Sequence, residues 1–253
     1  MTLLISNTHI SLSFHAEALY DDRVWARTKR IASLMSRREI PATFFVYPFR
    51  SQVKGISIGD RVQEIAGLGH EIGQHTHFYK GTNIDKETGK EDDLSPANIN
   101  QCLKRDYDTL TGFGTKPDGF VAGAWVSNKS VIDGIARLGI DYDCSARWPQ
   151  SGGKIHLAER QFLRSPEEYL HSNTKVIRIP TTCSLGEWFK WGRRTETDST
   201  LPYQLVYLHD YDLLRKSQHA LLRLFLILTR RRSFVPAGQL AMKVGELLDQ
   251  AHG

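Results

Sequence analysis

Short runs of β-branched and aromatic residues alternate along this chain with segments whose apolar positions recur every three or four residues. Ile10 to Phe14 opens the series as a strand. From about Asp22, the spacing of Val24, Thr28, Ile31 and Leu34 predicts a helix. Pro41 then precedes Thr43-Phe44-Phe45-Val46, a buried strand. A helix around Arg61 to Ala66 leads through Gly67 and Gly69 into the strand Glu71-Ile72-Gly73. Ser95-Pro96 marks a helix start, with the helix running towards Leu110. Gly119-Phe120-Val121 is a short strand, and Ser127 is the expected cap of a helix through Leu138. Ile140 to Ser145, Lys175 to Pro180, Gln204 to Leu208 and Phe234-Val235 supply further strands. Helices over about Ser217 to Arg230 and Gly238 to Gln250 complete the pattern.

Alternation of this kind is the signature of βα units on a parallel sheet. Seven or so units in 253 residues, without a repeat, linker or low-complexity break, predict one α/β domain over residues 1–253. Its expected architecture is a distorted (β/α)7–8 barrel. Residues 80–95 are polar and irregular, and segments 146–174 and 183–202 are longer than ordinary loops. Trp148, Trp188 and Trp191 lie in those two segments. There, flat rings serve equally to meet the apolar faces of sugars or to pack the loops down.

A hydrophobic fraction of 40% and a charged fraction of 24% describe an ordinary soluble globule. No run approaches the roughly 18 apolar residues of a membrane span. Leu3 to Phe14 carries Ser, Asn, Thr and His, and reads as a strand rather than a secretory signal. Cys102, Cys144 and Cys183 are widely spaced, which fits reduced thiols and a cytoplasmic setting. The net charge of +5 is mild, and no aromatic–basic interleaving points to nucleic acid. Arg230-Arg231-Arg232 follows the apolar stretch Leu221 to Leu228. It suits a helix end complementing its own dipole, or peripheral contact with a phosphate-bearing or lipid-linked partner.

The candidate chemistry sits at strand ends. His15-Ala16-Glu17 and His75-Thr76-His77 each close a strand-like run. Residues i and i+2 of an extended chain point to one side. Together these segments offer three imidazoles and a carboxylate, a donor set for a divalent metal, zinc foremost. Leu208-His209-Asp210 ends another apolar run, so three segments meet at one barrel rim.

The order and context of these segments resemble the polysaccharide deacetylases of carbohydrate esterase family 4 over nearly the whole chain. Ser11-Leu12-Ser13-Phe14 and His15-Ala16-Glu17 stand where that family has Thr-Phe-Asp-Asp-Gly. Gly69-His70-Glu71-Ile72-Gly73-Gln74-His75-Thr76 matches its Gly-His-Glu-Ile-Gly-Asn-His-Thr almost residue for residue. Ile40 to Val46 resembles its second strand, Phe120 to Trp125 its third motif, and Val206 to Asp210 its closing Leu-His segment. Three departures bear on the chemistry. His15 and Ala16 replace the family's two aspartates, Tyr79 occupies the place of its second metal histidine, and Val121 that of its arginine.

The resemblance implies a metal-dependent hydrolase removing an N-acetyl or O-acetyl group from a sugar, as in O-antigen or other surface-polysaccharide assembly. His75 keeps the family's ligand position, while Glu17 and His77 are expected to replace the missing ligands. His15 stands at the base position and, as an imidazole, also suits a fourth ligand. His209 carries over as the acid that protonates the leaving amine. Trp125, Tyr79 and Asp210 are the expected substrate contacts, and His70 is expected to be structural. The alternative is a non-catalytic carbohydrate-binding barrel that has lost its base.

Overall fold

The computed structural model describes residues 9–79, 93–149, 161–192, 201 and 203–252. Ten strands form one curled sheet: β1 (His9–Ala16), β2 (Thr43–Val46), β3 (Glu71–Thr76), β4 (Gly119–Ala122), β5 (Tyr142–Asp143), β6 (Glu167–His171), β7 (Thr174–Arg178), β8 (Cys183–Ser184), β9 (Tyr203–His209) and β10 (Ser233–Phe234). Their order is β6-β7-β5-β4-β3-β2-β1-β9-β8, with β10 paired to the start of β1. The helices are α1 (Asp22–Ser36), α2 (Phe49–Val53), α3 (Gly59–Gly67), α4 (Pro96–Gly112), α5 (Lys129–Arg137), α6 (Leu185–Glu187), α7 (Lys216–Leu228) and α8 (Ala237–His252). The result is a distorted α/β half-barrel.

Strand alternation sorts the side chains into two layers. Leu12, Phe14 and Ala16 of β1 pack with Phe44 and Val46 of β2 against Ile31 of α1 and Val62 of α3. Residues one step out of phase, among them Phe45 and Val121, turn inward and meet Tyr142, Leu205 and Leu240. Gly73 of β3 makes room on that inner side, because a Cβ there would lie 2.4 Å from the Phe45 ring. Period-two alternation thus carries His15 and His75 inward while the outer layer is buried under helices.

Local chemistry sets the helix starts. Asp21 caps α1, its Oδ1 accepting from the amides of Arg23 (2.8 Å) and Val24 (3.3 Å). Ser95 caps α4 ahead of Pro96. The cap of α5 is Asn128, not Ser127: Asn128 Oδ1 accepts from the Val131 amide at 3.0 Å. Ser127 Oγ is taken by the buried Arg178, whose guanidinium donates to it at 2.8 Å.

The expectation of a purely parallel barrel needs correction. β6, inside the segment 146–174 read as a connection, forms an antiparallel hairpin at one edge with β7, the strand expected over Lys175 to Pro180. Among the described residues the sheet does not close from β6 to β8. Trp188 is buried against Phe225 and Phe189, and its Nε1 donates to Gln204 Oε1 at 3.0 Å. Trp148 is buried as well, so both rings serve packing rather than a sugar. The side chain of Trp191 and most of the polar stretch 80–95 lie outside the described residues.

Candidate metal centre

Parallel register brings the candidate residues to one end of the sheet. His15 pairs with His209 across β1 and β9, and His75 pairs with Val121 across β3 and β4. Glu17 and His77 follow directly on the ends of β1 and β3. All of these side chains therefore reach the rim at the carboxyl ends of the strands.

Glu17, His75 and His77 converge there, their ligand atoms all within 4.8 Å of one another. Glu17 Oε1 lies 3.3 Å from His75 Nε2 and 3.5 Å from His77 Nε2. Ligands bonded to one tetrahedral ion at ~2.1 Å stand about 3.4 Å apart. His75 Nδ1 donates to the Val121 carbonyl at 2.8 Å, which turns Nε2 towards the Glu17 carboxylate. His77 Nε2 is buried without a hydrogen-bond partner. Two imidazole nitrogens and a carboxylate oxygen converging at these spacings fit a divalent metal. Burial opposes ionisation of Glu17, yet the imidazoles of His75 and His77 beside it outweigh burial and hold the carboxyl far below the usual carboxylate range. Burial pushes His77 down, keeping its ring neutral as a ligand must be.

Two flanking features hold the cluster. Asp210 is fully buried and accepts from the amides of Glu17 (3.2 Å), Ala18 (2.9 Å) and Tyr211 (2.8 Å). It clamps the turn that carries Glu17 rather than opening to a ligand, and burial raises its pKa to about 7. Gly123 lies under His77, where a Cβ would stand 2.3 Å from Nδ1. Gly123→Ala should therefore displace the His77 ring and weaken zinc binding by about 10–100-fold, as loss of an outer-shell support does. Unchanged zinc affinity, measured by competition with a chromophoric chelator, would count against His77 as a ligand.

His15 takes a different place. Its ring stacks on Tyr207 at 5.0 Å and stands 5.0 Å from His75, 5.3 Å from Trp125 and 5.3 Å from His209. Burial, with the neighbouring imidazoles of His75 and His209, pushes its pKa well below the ordinary value. It is a neutral imidazole beside the three-ligand cluster and outside it. His209 is more open: Nε2 is 3.7 Å from Glu17 Oε1, and Nδ1 is 3.4 Å from Asp212 Oδ2. Tyr79 stacks on His77 at 5.1 Å, and Trp125 meets Tyr207 edge-on at 4.8 Å. His70 stands apart, with Nε2 3.0 Å from the Ala32 carbonyl.

Several residues at the rim escaped sequence reasoning. Tyr207 lies two positions before His209, so strand alternation alone would have placed it on the same face. Tyr47 packs on His77, and Arg50 of α2 approaches Glu17 Oε2 at 3.9 Å. Arg147 spreads over the rings of Trp125 and Tyr207 and pairs with Glu187 at 2.9 Å. It comes from a long connection with no periodic signal.

No protein of curated function matches this sequence. Among solved structures, a Mycobacterium smegmatis protein assigned to the polysaccharide deacetylases superposes with a TM-score of 0.67 at 15% identity, over 96% of this chain and 92% of that one. A carbohydrate esterase family 4 pseudoenzyme from Bacillus anthracis gives 0.55 at 12% identity, covering 94% of this chain and 66% of its own. The peptidoglycan deacetylase PdaC from Bacillus subtilis gives 0.54 at 14% identity, covering 97% and 95%. At such identities these likenesses speak for the fold. The sequence itself matches the polysaccharide deacetylase profile over residues 14–142, from β1 through β5 and so through both His-rich segments. That match spans just over half of the chain, and the protein belongs to the polysaccharide deacetylase family.

Proposed function

We propose that this protein is a metal-dependent deacetylase that removes an N-acetyl, or O-acetyl, group from a sugar in surface-polysaccharide metabolism. The observation that carries the reading is the convergence of Glu17 Oε1, His75 Nε2 and His77 Nε2 at spacings a zinc ion would bridge. A divalent ion bound there supplies Lewis acidity and eases deprotonation of a water molecule. His15, held neutral by burial, accepts that proton. His209, with Asp212 Oδ2 3.4 Å from its Nδ1, delivers a proton to the leaving amine. Trp125, Tyr79 and Tyr211 offer aromatic surface around the cluster, suited to the apolar face of a sugar. The three cysteines are free and buried, in keeping with a reducing, cytoplasmic setting and a lipid-linked or other glycan intermediate as substrate.

One observation favours a second reading, a carbohydrate-binding barrel without turnover. His15 is only 3% exposed beneath aromatic rings, and a water must reach it for it to serve as base. A structural relative from Bacillus anthracis is itself described as a pseudoenzyme. The two readings separate on purified protein assayed for zinc by mass spectrometry and for acetate release from a panel of N-acetylated sugars. The deacetylase reading requires stoichiometric metal and chelator-sensitive release of acetate. Sugar binding without acetate release from the metal-loaded protein would establish the second reading instead.

A further inference from the structure

The outer face of α7 carries a feature that neither the core nor the rim uses. Leu222, Phe225 and Leu226 bury its inner face, as an amphipathic helix should. Yet Leu224, Ile227 and Leu228 form a second apolar stripe at i, i+3 and i+4, with 44%, 53% and 45% of their surfaces exposed. From Lys216 to Arg232 the cations are Lys216, Arg223, Arg230, Arg231 and Arg232, and no acid interrupts them.

The neighbouring helix extends the same chemistry. Burial, and then the charges of Arg223, Arg27 and Arg30, push the pKa of His219 down, so α1 and α7 share one basic flank. At the far end of the two helices, Arg38, Arg230 and Arg232 border a cavity of about 250 Å³ floored by Ile40, Leu226 and Phe234. Glu39 is the acid at its edge. An apolar stripe on a helix flanked by arginines, beside a cavity bordered by Arg38, Arg230 and Arg232, has the two halves of an interfacial membrane site. Nucleic acid would use the cations but leave the leucines and isoleucine in water. A second copy of this basic face would meet repulsion.

We propose that the outer face of α7, with the end of α1, docks on an anionic phospholipid bilayer: Leu224, Ile227 and Leu228 enter the headgroup boundary, and the arginines hold lipid phosphates. This docking stands on its own observations and does not depend on the deacetylase reading. The helix, about 20 Å long, begins seven residues after His209 and ends at arginines next to β10, which pairs with the start of β1. Docking would therefore lay the flank of the sheet's helical layer on the membrane.

Vesicle sedimentation with the full chain tests it. The protein should pellet with mixed phosphatidylcholine–phosphatidylglycerol vesicles, not with phosphatidylcholine alone, and raised salt should weaken the binding. Arg230→Ser with Arg231→Ser should lower affinity roughly fivefold for each arginine removed. Leu224→Ser with Ile227→Ser keeps the net charge and alters only exposed positions, yet should weaken vesicle binding several-fold. Melting curves matching the parent would confirm that both double variants fold. Failure to pellet with anionic vesicles, or equal binding by parent and both variants, would overturn the proposal. So would tight binding to a DNA duplex that ignores the Leu224 and Ile227 changes, or a dimer that these changes dissolve in the absence of vesicle binding.

Discussion

Replacing His75 with alanine is expected to abolish tight zinc binding while the protein remains folded. The His75 ring is one of three donors at the cluster, and it is the most firmly prepared of them. Its Nδ1 is anchored on the Val121 carbonyl at 2.8 Å, which fixes both the tautomer and the direction of Nε2. Removing an outer-shell support costs about 10–100-fold in metal affinity, and losing a ligand outright should exceed that. His70→Ala is the matched control, from the same motif and also buried. Its Nε2 meets the Ala32 carbonyl at 3.0 Å and its ring packs on Phe44. That variant should lose about 1–3 kcal/mol of stability through the lost hydrogen bond and ring packing, with zinc affinity within a few-fold of the parent. Equal zinc binding by both variants would show that the motif histidine is not a ligand.

His209→Ala should leave zinc content and melting temperature near those of the parent while acetate release falls by about 10²–10⁴-fold, the usual cost of losing a positioned acid. The side chain is 28% exposed, so truncation opens no core cavity. Its Nε2 stands 3.7 Å from Glu17 Oε1, farther than either cluster histidine. The loss should shrink for an activated aryl ester, whose leaving group needs no proton. Zinc lost together with activity would make His209 a ligand instead. Full activity on an N-acetylated sugar would remove it from the chemistry.

The repeating strand and helix pattern was legible because it is written locally. Period-two runs in β1, β2, β3 and β9, with caps such as Ser95, depend on residues within a few positions of one another. The site segments were legible for a related reason: a metal-capable pair at i and i+2 on a strand end shares one side whatever lies around it. The antiparallel β6 and the five-residue α2 were not legible, since one is an edge hairpin in an irregular segment and the other a single short turn of helix. Ser127 and Asn128 were equally good caps by composition. The choice fell to Asn128 once Arg178, 51 residues away, claimed the serine.

Sequence alone determined the family, the meeting of the candidate segments at one rim and the donor types they bring there. Tertiary structure brings Glu17, His75 and His77, the set expected from the sequence, within 4.8 Å of one another and sets His15 outside that cluster. His15 and His77 have the same side chain and similar positions at strand ends. Yet His77 faces Glu17 across a gap of 60 residues, while His15 lies under Tyr207 and Trp125. Asp210 looked like a group open to substrate and proved to be a buried clamp on the amides of Glu17 and Ala18, nearly two hundred residues earlier. Arg147 reached the aromatic wall from a segment that gave no sign of it. The role of a polar side chain is set by burial and by partners distant in sequence, and local periodicity holds information about neither.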